Sequence, residues 1–173
     1  LGRLCAEGER ELLPVLRQSA SDPRWRIREA VAMALQRLAK DDMDLVLREM
    51  EIWSQGNLLE KRAAVAGLCH PDLLQEEGQT ERVLQILDTI SAAVLDVEDR
   101  KSDEFRALRK GLGYCWSVAV SALPELGKTL MEHWFACSDP DIRWIMKQNL
   151  RKKRLERSDA VWVATWQRQL GKR

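Results

Sequence analysis

Apolar positions along this chain recur every three to four residues, in runs broken by polar, charged or proline-containing stretches, as in amphipathic helices packed on one another. From Arg24 to Lys40, Ile27, Ala30, Val31, Ala34, Leu35 and Leu38 make one stripe, and Arg26, Glu29, Gln36 and Arg37 take the other face. The same period predicts helices over about 9–19, 24–40, 43–54, 59–69, 80–97, 103–122, 124–137 and 140–157, with a terminal helix within 159–170. The breaks carry recognisable chemistry. Ser21-Asp22-Pro23 and Ser138-Asp139-Pro140 offer side-chain oxygens for the free N–H groups of a helix start, and a proline that suits a first turn. Gly56-Asn57 and His70-Pro71 are turn signals, Thr80 is the expected cap of the fifth helix, and the highly charged 96–104 stretch is a surface loop. Pro14 predicts a kink or a late start in the first helix.

The breaks repeat. Ser21-Asp22-Pro23-Arg24-Trp25-Arg26-Ile27-Arg28 is echoed by Ser138-Asp139-Pro140-Asp141-Ile142-Arg143-Trp144-Ile145. Trp53 precedes Arg62 by nine residues, as Trp134 precedes Arg143, and the two pairs stand 81 residues apart. That is about two units of roughly 40, the spacing of stacked helix pairs. Arg62-Ala63-Ala64-Val65-Ala66 also echoes Arg28-Glu29-Ala30-Val31-Ala32 at a spacing of 34. The expected fold is all-α, a right-handed α-α superhelix of four helix pairs in one domain over 1–173. Its repeats fall near 8–40, 42–70, 79–122 and 124–157, with 159–170 as a cap over the open end.

Over roughly residues 8–157 the chain resembles the HEAT-repeat (armadillo-like) family, including bacterial HEAT-repeat proteins of unknown function. Asp22, Pro23, Ile27 and Arg28 carry the resemblance, and Asp139, Pro140 and Arg143 repeat it with a shift of two. The third pair departs, lacking the Asp-Pro turn. The resemblance implies a concave groove lined by the second helix of each pair, which binds a protein, peptide or nucleic acid, and a largely structural role for the motif's Asp and Arg. A more distant resemblance is to the HEAT-like DNA alkylation repair glycosylases, whose basic groove uses Trp, Asp and Arg against DNA. Trp53, Trp116, Trp134 and Trp144 are the indoles available for such a groove, but no Asp–Trp–Arg set can be assigned.

Composition narrows the class. Leu, Ala, Arg and Glu dominate, and 45% hydrophobic with 32% charged residues describes a globular chain rather than a disordered one. Seven tryptophans against one tyrosine are expected to fill gaps between helix layers, unless some face a partner. Cys5, Cys69, Cys115 and Cys137 form no C-x-x-C pair and lie in or beside apolar runs, so buried reduced thiols in a cytoplasmic compartment are expected. There is no long apolar run and no signal-peptide pattern. Starting at Leu1, the sequence reads as a fragment or as a chain without a disordered start. The net charge of +1 hides an asymmetry: residues 1–100 carry 13 Lys and Arg against 19 Asp and Glu, and residues 101–173 carry 15 against 8.

No P-loop, G-x-S-x-G, H-E-x-x-H or dinucleotide turn occurs, so no catalytic residue, cofactor or metal is expected. The expected role is a non-catalytic protein-binding or scaffold module for a protein or an anionic partner on the concave face. DNA binding, or glycosylase action, is the alternative. The candidate contact residues start with Arg143, Lys147, Arg151 and Arg154, spaced to lie on one stripe of the eighth helix, where four like charges repel unless something anionic relieves them. Trp144 either packs on the terminal Trp162 and Trp166 segment or stands beside that stripe. Arg62 and Arg106 join Arg28 and Arg143 in a ladder that serves either a partner or bonds between repeats. Asn149, in the middle of an apolar stripe, is expected to hold the neighbouring turn.

Overall fold

A computed structural model describes residues 10–171. Among them are ten α-helices and no strands: α1 (Leu13–Ala20), α2 (Trp25–Asp41), α3 (Met43–Trp53), α4 (Leu58–Leu68), α5 (Glu77–Ala93), α6 (Asp103–Ala122), α7 (Pro124–Phe135), α8 (Pro140–Leu150), α9 (Lys153–Ser158) and α10 (Ala160–Gly171). The first eight form four pairs of an all-α solenoid. The second helices pack side by side, α2 on α4, α4 on α6 and α6 on α8. The first helices α3, α5 and α7 make the parallel layer. One continuous core runs between the layers, from Leu16, Leu35 and Val46 through Leu84 and Leu108 to Ile145 and Leu155. Truncating such a leucine to Ala typically costs about 2–5 kcal/mol.

The boundaries follow local chemistry. Asp42 caps α3 by accepting the Leu45 amide at 2.9 Å. Asn57 and Glu60 form a reciprocal capping box at the start of α4. Ser102 caps α6 and Asp139 caps α8. Thr80 is not a cap: α5 begins at Glu77, and the Thr80 hydroxyl donates to the Glu76 carbonyl at 2.9 Å inside the first turn. Pro14 sits in the first turn of α1, which therefore starts late, after a 3-10 turn over Arg10–Leu12.

The largest departure is at the eighth helix, which stops at Leu150 instead of running on to 157. Arg151 ends it, Lys152 is extended (ψ 124°), and α9 starts afresh. The Leu150 carbonyl left free by the break accepts Gln167 Nε2 from α10 at 2.9 Å, so tertiary contact replaces the helical bond. One residue earlier Asn149 enters the backbone of α6. Its amide donates to the Leu112 carbonyl at 2.8 Å and accepts the Ser117 N–H at 2.8 Å, so it holds the middle of the adjacent second helix rather than a neighbouring turn.

The terminal helix α10 buries Val163 and Leu170, and its Trp162 and Trp166 rings lie against Phe135 of α7. Cys69 and Cys115 are buried and Cys137 half-buried, all as free thiols, while Cys5 lies outside the described residues. Burial pushes the Cys69 thiol up, away from the thiolate form. No helix of the described residues is long and apolar enough to cross a membrane.

Candidate interaction groove

The outer faces of the second helices line three adjoining cavities. One, of about 650 Å³, lies over α2, α4 and α6. A second, of about 580 Å³, lies between α6 and α8. A third, of about 970 Å³, lies among α6, the 71–75 turn and the start of α9. Tyr114 and Lys110 border the first two, Lys152 the last two, and Pro71 the first and third, so the three are one groove.

Its two ends differ in chemistry. At the α2 end Trp25 and Met33 are 61% and 68% exposed, above Ala32, Ala66 and Gly111. The arginines here are already engaged. Arg28 donates to the Asp22 and Pro23 carbonyls at 2.7 and 2.9 Å, and Arg62 donates to the Arg28 carbonyl at 3.2 Å and pairs with Glu29. Among the described residues Glu29 is the one carboxylate lining any of the three cavities.

The other end is cationic. Arg106, Arg109 and Lys110 project from α6, and the run Arg151–Arg154 with Arg157 faces them from the α8–α9 break. Tyr114 lies beneath Arg154, 4.6 Å from the guanidinium carbon, and Lys152, 5.5 Å away. Its hydroxyl accepts Arg154 Nη2 at 2.5 Å. Arg109 lies 4.0 Å over the Trp144 ring and pairs with Asp141 at 2.7 Å. Trp144 can lie flat on α6 because residue 113 is glycine; a Cβ there would meet Trp144 Cζ3 at 3.0 Å.

Residues 12–41, the first helix pair, match the HEAT repeat family model. No curated protein and no solved structure matches the chain. HEAT repeats commonly mediate protein interaction or scaffolding, and the fold is typically non-catalytic.

The structure takes one member, Arg154, out of the expected stripe of the eighth helix. Arg143 donates to the Leu170 carbonyl at 3.3 Å and so fastens α10. Lys147 and Arg151 border a small depression beside α10, Arg151 also borders the third cavity, and Arg154 belongs to the next helix. The break after Leu150 ends the helical register and so separates Arg154, while Arg143, Lys147 and Arg151 stay on the side that meets α10. Trp144 packs between Gly113 and Arg109, away from Trp162 and Trp166. Three of the four indoles considered for a DNA-binding groove are core residues: Trp53 and Trp116 are fully buried, and Trp134 is 5% exposed. The arginine ladder is not a row either. Arg62 bonds to the neighbouring repeat, Arg28 to its own turn and Arg106 to Asp103 beside it on α6.

Several lining residues escaped the sequence reading. Trp25 and Met33 had a usable signal, since they are large apolar groups eight residues apart on the polar face of α2. Lys152, Lys153 and Arg157 had only the density of charge around 151–157, and Arg109, Lys110 and Tyr114 had none beyond the helix period.

Proposed function

We propose that this protein is a non-catalytic binding module whose groove takes an extended segment of a partner protein. The segment carries an apolar anchor for the α2 end and acidic groups for the α6–α9 end. The observation behind this reading is the division of the groove: exposed Trp25 and Met33 with engaged arginines at one end, and at the other the Arg151–Arg154 run with Arg157, for which no carboxylate partner is found among the described residues. Buried aromatic and apolar anchors supply most of the energy of such contacts, and charges supply steering and register. A nucleic acid presents a phosphate at every step, so it favours cations along the whole track. Here half of the track has its arginines bonded to backbone and to Glu29.

A photo-reactive amino acid placed at Met33 in the living host tests this. Discrete protein adducts are expected, weakened when Arg106 and Lys110 are both changed to Glu. A probe at Val161, which is 79% exposed on α10, is the control. Nuclease-sensitive adducts, or equal labelling from both positions, would sink the reading.

A further inference from the structure

We infer that the third cavity, among α6, the 71–75 turn and α9, is a phosphoryl-binding subsite that receives a phosphorylated side chain of the segment held in the groove. This deepens the proposed function and rests on it. Among the described residues five cations line the cavity, Arg151, Lys152, Lys153, Arg154 and Arg157, and no carboxylate does. Elsewhere arginines reach carboxylates: Arg17 reaches Glu60, Arg82 reaches Glu51, and Arg100 reaches Asp139 and Asp141. Among the described residues none of the five has an ion-pair partner, although like charges packed this closely repel.

Arg154 adds an independent pointer. Its Nη2 bonds Tyr114, but its Nη1 is shielded from solvent and has no acceptor among the described residues. A shielded donor without a partner is costly, and a charged one more so. Its neighbours on the cavity wall, Leu74 and Val118, are buried apolar residues that strengthen any charge-assisted bond formed there. A phosphomonoester fits this better than a carboxylate. It brings close to two negative charges and three acceptor oxygens, enough to engage the Arg154 fork and the lysines at once.

The test compares a short acidic peptide carrying one phosphoserine with its unphosphorylated twin, and includes inorganic phosphate and a short single-stranded DNA. Binding is followed by amide chemical shifts of the isotopically labelled protein. The phosphopeptide is expected to bind at least about tenfold more tightly than its twin, with shifts concentrated at 71–75, 114–122 and 151–157. In a Lys153→Gln/Arg157→Gln variant the ratio should fall to near one. Both residues are exposed, so folding is not at risk. Arg154→Gln should also abolish the ratio, whereas Arg106→Gln, on the second cavity, should preserve it.

Equal affinity for the two peptides, or a ratio indifferent to these variants, would overturn the inference. So would inorganic phosphate binding as tightly as the phosphopeptide, which would make the site one for the free ion. DNA binding more tightly than the phosphopeptide, with shifts along the whole groove, would also overturn it in favour of a nucleic-acid surface. Loss of phospho-selectivity with Met33 adducts intact removes the subsite alone. Loss of the adducts removes the groove reading.

Discussion

The two Ser-Asp-Pro turns share a phrase and do different work. At the first, Asp22 pairs with Arg24 two residues on and accepts its amide, all at the surface, and α2 begins at Trp25 without a side-chain cap. At the last, Asp139 caps α8 by accepting the Asp141 and Ile142 amides, and it receives Arg100 from the preceding loop at 2.6 Å. Arg100 also holds Asp141 and donates to the carbonyls of Val94, Leu95 and Val97. The third pair has no Asp-Pro turn of its own. Its charged loop instead supplies the cation that locks the fourth. A repeated motif thus marks where a helix begins, and the neighbouring repeat decides how much stability it carries.

Removing the cation is expected to have the largest effect. Arg100→Ala removes a donor from two carboxylates and three carbonyls, with Arg109 still on Asp141 and two amides still on Asp139, and should lower unfolding free energy by about 2–3 kcal/mol in urea titrations. Asp139→Ala should cost about 1–2 kcal/mol, because the cap is lost while Asp141 still holds Arg100. If both substitutions together cost no more than the larger of the two alone, the two residues act as one unit, which is the outcome that sharpens the contrast.

Acid separates the turns next. Burial pushes the Asp139 carboxyl up, but the Ile142 amide, Arg100 and the Asp141 amide together pull it below the usual carboxylate range. A carboxyl depressed in the fold contributes stability that is fully present above its unfolded value, near 3.9, and is lost as pH falls through the folded one. Asp139→Asn keeps a capping oxygen and removes the titration, so its unfolding midpoint should vary less between about pH 5 and 2 than that of the parent chain. The Asp22 carboxyl, drawn down to about 2 chiefly by the Arg24 side chain and then its amide, titrates in the same direction but at the solvent surface. Asp22→Ala should therefore have the smallest effect of the series, within error of the parent in the same titration. A loss there matching that of Asp139→Ala would break the comparison.

Much of the fold was legible because helix pairs are local objects. Asp103–Ala122 begins and ends where the apolar period and the charged approach predict. The shift of two between the motifs also has a simple physical form. Arg28 and Arg143 both occupy the fourth position of their helices, while Pro23 lies outside α2 and Pro140 opens α8. The candidate site was harder to see. The expected stripe from Arg143 to Arg154 needed an unbroken helix, and no proline or glycine at 151–152 announces the break. What holds it open is Gln167 on the Leu150 carbonyl, a contact across 17 residues.

Sequence alone determined the all-α class, the pairing of helices, the Asp139 cap and the accumulation of charge near 151–157, since each depends on residues within a few positions of one another. Only the tertiary structure decided which cations are engaged and which are free, and which tryptophans are core. Those outcomes turn on what the adjacent helix layer or repeat brings within bonding distance. Arg62 meets Glu29, Arg100 meets Asp139, and Arg154 keeps one guanidinium nitrogen without an acceptor among the described residues.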